Sequence, residues 1–240
     1  MPIDDAQRLA CLTDSVRSFE ALLAEVDLKT QVPSCPGWTV QDLVGHLGAI
    51  HRWATLTVRT GRPGDSLPSP PDSRVLVDWF TEGAADLLLA LRDAVPGREC
   101  WTFGPQPRTV DFWIRRQALE TALHLWDFSS AVGAPSPIDA ALGSDGVDEV
   151  TSIMFPRQVQ LGLADPLPVV VELVCLDSGQ RSRLGSDSGS LDEPAAVTVT
   201  APAGDLLLLL WRRLRLDSPG IVVAGDSESA ERVFAAALTP

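Results

Sequence analysis

Apolar residues recur along the first 130 positions with the period of amphipathic helices. Residues 4–27 carry Leu9, Leu12, Val16, Phe19, Leu22 and Leu23 at three- and four-residue spacings, which places them on one helix face. Pro33, Pro36 and Gly37 then break the pattern between Val32 and Trp38. Thr39, with Asp42 three residues on, reads as the N-cap of a second helix that runs to about Arg59. The stretch GRPGDSLPSPPDS predicts a loop over 61–73, and a third helix follows from about Arg74 to Ala94. After the loop GRECWTFGPQP comes a fourth helix over 109–132. Four helices joined by such breaks predict a bundle, in which sites are built from side chains on facing helices.

After Gly133 the texture changes. Ala134-Pro135-Ser136-Pro137 reads as a linker, and a helix is expected over about 138–162. Strand-like runs follow at Pro168–Leu176 and Ala195–Thr200, separated by a polar, Gly/Ser-rich turn. A helix from Ala203 to Leu214, a short strand at 221–224 and a last helix at 228–238 complete the pattern. The predicted fold class is α+β, mostly helical: a four-helix bundle over 1–134 and a smaller α+β domain over 135–240.

Composition narrows the function classes. A hydrophobic fraction of 45% and a charged fraction of 21% are those of a soluble globular protein. The longest apolar runs, such as LLLLLW at 206–211, are far too short to span a bilayer, and MPIDDAQRLA has no signal-peptide pattern, so a cytoplasmic location is expected. The net charge of −13 argues against nucleic acid or an anionic membrane surface as partner. Cys11, Cys35, Cys100 and Cys175 form no C-x-x-C pair, and Cys35 reads as a packing residue in a turn. One lysine against 18 arginines, with no asparagine or tyrosine, indicates a GC-rich coding sequence.

The candidate chemistry lies in QALETALHLWDF. Glu120 and His124 are four residues apart and therefore share a helix face, where a carboxylate and a neutral imidazole make a ligand pair for a divalent metal. The same spacing also suits a helix-surface pair or a satisfied core hydrogen bond. His46, on the second helix, is available as a third ligand, which would leave one coordination position open as catalytic zinc sites do. His51 is five residues from His46, roughly 140° further round a 3.6-residue turn, and is read as a rim or structural residue. Asp127, one turn beyond His124, either supports that ligand or is a charge near a helix end.

Four stretches carry a resemblance: VPSCPGWTVQDLVGHLGAIHRWA (32–54), QALETALHLWDF (117–128), DGVDEV (145–150) and AGDLLLLLWRRL (203–214). In this order and spacing they resemble the mycothiol-dependent maleylpyruvate isomerase family. The resemblance implies a DinB-like bundle, a sterol-carrier-like C-terminal domain, and a mycothiol-producing actinobacterial source. It also implies a divalent metal, usually zinc, on His46, Glu120 and His124, and an arginine just after the L-L-L-W run that faces the active site. Arg212 and Arg213 are both candidates for that arginine, and Arg213 fits the W-x-R spacing better. Many relatives read H-R-W-D where this chain has His124-Leu125-Trp126-Asp127, a departure that spares the ligands and bears on substrate or thiol contacts. The function expected is that of a metal- and mycothiol-dependent enzyme. In it a zinc-bound thiolate attacks an electrophile, with cis–trans isomerisation or thiol transfer as the outcome. A non-catalytic metal-binding regulatory or stress protein and a thiol-independent metal hydrolase stay open as alternatives.

Overall fold

Local capping chemistry fixes where the first helices begin. The structure is a computed structural model that describes residues 3–185 and 194–240. Asp4 accepts from the backbone of Gln7 while the Gln7 side chain returns the bond, so α1 (Asp5–Leu23) starts on a reciprocal cap. It ends one turn short of the expected Asp27, because Asp27 turns its carboxylate onto the backbone N–H of Lys29. Thr39 and Asp42 form the anticipated capping box of α2 (Val40–Thr60), which stops at Gly61 in the left-handed conformation. Thr39→Ala is expected to cost about 1 kcal/mol, read from the midpoint of urea unfolding. An unchanged midpoint would show that the cap is idle.

Asp72 caps α3 (Ser73–Arg92), and α4 runs from Asp111 to Ala131. In the compact unit formed by residues 3–137, α1 packs against α3 and α4, and α2 against the same two helices. Phe19 joins the layers: its ring centroid lies 4.9 Å from Phe80 on α3 and 5.0 Å from Phe128 on α4. Close approach is built in at Gly48, where an added Cβ would come within 2.5 Å of the Trp79 ring. Buried residues occupy nearly every face of α4, so its sequence shows little amphipathic period and its polar residues sit inside.

The second unit, Ile138–Pro240, holds the remaining elements. The single helix expected over 138–162 is α5 (Ala140–Glu149), a π-helical turn (Val150–Met154) and α6 (Phe155–Gln160). Pro156 explains the interruption. It has no N–H to give and crowds the carbonyl four residues back, and the Phe155 N–H reaches five residues back to Val150 instead.

The sheet has the order β2-β1-β3-β4. β1 (Val171–Cys175) pairs parallel with β3 (Val197–Ala201); β2 (Arg181–Leu184) and β4 (Val222–Gly225) are its antiparallel edges. In both central strands burial alternates strictly, with Val171, Leu173 and Cys175 inside on one and Val197, Val199 and Ala201 inside on the other. β2 corrects the sequence expectation, which made 177–194 one turn. Its residues Arg-Ser-Arg-Leu include a single buried apolar side chain, so no alternation announces the strand. The rest of that turn, 186–193, lies outside the described residues.

Helix α7 (Ala203–Leu210) supplies Leu206 to Leu210, all buried, and packs on β1, β3 and α5. It stops four residues before the expected Leu214. Arg212 takes φ 60°, and the N–H groups of Arg212 and Arg213 return to the carbonyls of Leu209 and Leu208, a Schellman closure. Helix α8 (Ser227–Ala235), capped by Asp226, ends the chain's regular structure. Among the described residues, no helix is long and apolar enough to cross a membrane.

Candidate metal centre

Two elements of the bundle bring three donors together. α2 supplies His46, and α4 supplies Glu120 and His124 from successive turns of one face. Glu120 Oε1 lies 3.4 Å from His46 Nε2 and 3.3 Å from His124 Nε2. All three donor atoms fall within 4.8 Å of one another. A tetrahedral zinc with bonds of about 2.0–2.1 Å separates its ligand atoms by about 3.3–3.4 Å. The donor set and its spacing therefore fit the metal that the residue types suggested.

The groups behind the donors fit it as well. Asp127, fully buried, places Oδ2 2.9 Å from His124 Nδ1. That bond commits Nδ1 to hold a hydrogen and turns Nε2 toward the other donors, so that loss of the Nε2 proton would present a lone pair there, the arrangement that metal-binding imidazoles adopt. Of the two roles open to Asp127 in the sequence, it occupies the supporting one. Cys35, in the 32–38 turn, donates its thiol to the same Oδ2 at 3.5 Å, so it is more than a packing residue. Arg116, one turn before Glu120, donates to the second carboxylate oxygen at 2.7 Å and is itself buried. Trp38 closes one side, its ring centroid 5.0 Å from that of His46 and 6.4 Å from that of His124.

These contacts set the charge states. Burial alone would raise the Glu120 carboxyl, yet hydrogen bonds from His124 and His46 and the Arg116 guanidinium hold it well below the usual carboxylate range. Burial likewise lowers His124, but the Asp127 and Glu120 carboxylates outweigh it and lift its pKa to about 9. Without a metal, the centre is an anion clasped by cations; it stores a proton where an ion would sit.

His51 stands apart. It is completely buried, bonds Thr121 Oγ1 through Nε2 at 3.0 Å, and leaves Nδ1 without a partner among the described residues. Burial drives its pKa down to about 3, so it is a neutral core residue that ties α2 to α4 rather than a rim residue. Arg213 belongs to the second unit. Its guanidinium donates to the Trp211 carbonyl at 2.9 Å and lies 5.8 Å from the Trp211 ring centroid. Arg116 was missing from the sequence expectation, although its signal is there: Arg116, Glu120 and His124 repeat at four-residue steps along one face of α4.

Residues 9–129 match the model of the mycothiol maleylpyruvate isomerase N-terminal domain, and residues 141–232 match that of the MDMPI C-terminal domain. Among solved structures, the chain is similar to a mycothiol-dependent maleylpyruvate isomerase and to a histidine-to-alanine mutant of that enzyme. Each is matched at 16% identity and a TM-score of 0.62, over 92% of this chain and 93% of the other. No curated protein matches the sequence. Both family models fall on this chain in order, one on each of its two units, and the chain belongs to the mycothiol maleylpyruvate isomerase family.

Proposed function

We propose that this protein is a metal- and mycothiol-dependent enzyme acting on an electrophilic substrate of the maleylpyruvate type. The observation that carries the reading is that Glu120 Oε1 lies 3.3–3.4 Å from Nε2 of both His46 and His124, with the three atoms within 4.8 Å of one another. Zinc held by these three would keep one position for an outside ligand and lower the pKa of a thiol placed there. Mycothiol would supply the thiolate that adds to an activated cis double bond, isomerising the substrate when it is expelled and forming a conjugate when it is kept.

The chain's own residues do the rest. Asp127 fixes the tautomer and ring angle of His124. Arg116 orients the Glu120 carboxylate so that Oε1 faces both imidazoles. Trp38 shields the histidines on one side and limits water there. Arg213, chosen on the W-x-R spacing of the family, is assigned to a substrate carboxylate or enolate, a role that suits the planar fork of guanidinium. Arg213→Ala is expected to lower kcat/KM by about 10- to 100-fold with metal content unchanged. A variant that turns over like the wild type would remove Arg213 from the site.

The test combines elemental analysis with an assay of maleylpyruvate and related electrophiles, with and without mycothiol. One divalent ion per chain and thiol-dependent turnover are the expected results. An ion without any thiol-dependent turnover would favour a binding protein, and turnover that ignores added thiol would favour metal-activated water.

A further inference from the structure

The turn between Val32 and Trp38 touches the metal centre at two points. Its backbone is closed on itself: the Val32 N–H bonds the Trp38 carbonyl at 2.9 Å, and the N–H groups of Cys35 and Trp38 return to the carbonyls of Val32 and Cys35 at 3.0 and 2.9 Å. Gly37, at φ 84°, makes a reversal that a side chain would resist. Gln31 and Thr39 pair just outside the turn, and Thr39 is the cap of α2. The turn is therefore tied to the start of the helix that carries His46. From it, Trp38 lays its ring against His46 and His124, and Cys35 gives its thiol to Asp127.

Asp127 Oδ2 is where this turn meets His124. It accepts from His124 Nδ1 at 2.9 Å and from the Cys35 thiol at 3.5 Å, and Asp127 itself is fully buried. His124 Nε2 lies on the other side of the ring, 3.3 Å from Glu120 Oε1. A chain of contacts thus runs from Cys35 through Asp127 and His124 to the donor set. An S–H is a weak donor, but a charged acceptor strengthens the bond. A second donor on Oδ2 also limits where that oxygen swings, and so the angle of the imidazole bonded to it. Cys35 Sγ, an Asp127 oxygen and a His124 nitrogen lie within 4.8 Å of one another, so they are themselves a possible ligand set. An ion there would have to break the Asp127–His124 bond, whereas on the Nε2 side the Glu120 oxygen already stands at zinc's own ligand spacing from both imidazoles.

We propose that Cys35 is a positioning residue for the metal centre: its thiol holds Asp127 Oδ2, and through it the His124 ring, in the orientation that the ion requires. The inference rests on the metal reading above, and no substrate or thiol cofactor enters its test. Three variants separate a hydrogen-bonding role from a packing one. Cys35→Ser keeps a donor, Cys35→Val keeps bulk without a donor, and Cys35→Ala keeps neither. Competition with a zinc chelator reads affinity. Proton NMR of the cobalt-loaded protein reads the exchangeable Nδ1–H of His124, which the ion shifts away from the other resonances.

Cys35→Ala and Cys35→Val are expected to bind zinc about fivefold more weakly, the worth of one hydrogen bond, and to move the His124 resonance. Cys35→Ser should stay near the wild type in both. The opposite order, with Val near the wild type and Ser like Ala, would make Cys35 a packing residue and overturn the assignment. If Cys35→Val does not fold, the comparison of Ser with Ala decides. A cobalt–thiolate charge-transfer absorption that disappears in Cys35→Ala would make the sulfur a ligand and overturn it as well. One ion in the wild type with equal affinity in all variants removes the assignment and leaves the metal centre standing. No ion in the wild type removes both.

Discussion

Glu120→Ala is expected to abolish metal binding and to destabilise the bundle by about 3–5 kcal/mol, the largest single effect we anticipate. The carboxylate is the hub of the centre. One oxygen faces both imidazoles, and the other takes the Arg116 guanidinium, whose side chain is only 5% exposed. Removing it deletes one of the three proposed ligands and takes away the anion that makes a buried guanidinium and a protonated imidazole tolerable side by side. Metal affinity should fall by more than about 100-fold, since losing a mere supporting hydrogen bond at such sites costs roughly 10- to 100-fold. Glu120→Gln separates the two losses: an amide oxygen can still accept from Arg116, so stability should recover in part while the metal does not return. Elemental analysis and urea unfolding of the two variants read the outcome. Stoichiometric metal in Glu120→Ala would remove the centre from its assigned place.

Much of this centre is legible in the sequence, for reasons that differ from residue to residue. Glu120 and His124 announce themselves because a four-residue step on a helix is a statement about geometry, and His46 follows because the break at Val32–Trp38 and the cap at Thr39 fix where α2 begins. The supporting groups are harder to read. Cys35 reaches Asp127 across 92 positions, a contact that no spacing rule reports. Arg116 is buried by its neighbours on other helices, which a reading of α4 alone does not reveal. Strand β2 hides for a related reason: Arg181, Ser182 and Arg183 become a strand only because Val171–Val174 offer an edge to pair with. The π-turn at Val150–Met154 was readable from Pro156, although its exact placement depends on packing. Local chemistry that acts within four residues is written in the chain; partnerships made by topology are not.

Metal affinity at this centre should rise steeply with pH up to about 9. In the metal-free protein, Asp127 and Glu120 overcome the effect of burial and hold His124 protonated up to about pH 9. An imidazolium offers no lone pair, so an arriving ion must displace that proton. Each pH unit below the His124 pKa then costs about tenfold in apparent affinity, or about 100-fold between pH 9 and pH 7. The sign for folding runs the other way in the stripped protein. A histidine whose pKa rises from 6.5 when unfolded to about 9 when folded contributes stability that is whole below pH 6.5 and lost as the pH climbs through 9. Bound metal replaces the proton and removes that dependence. Chelator-buffered titrations at pH 7, 8 and 9, paired with melting curves of loaded and stripped protein, test both slopes. Asp127→Asn should flatten them together, because the carboxylate that keeps the proton on His124 is also the one that holds its ring. An affinity that stays level from pH 7 to 9 would mean that His124 does not carry the proton the metal has to replace.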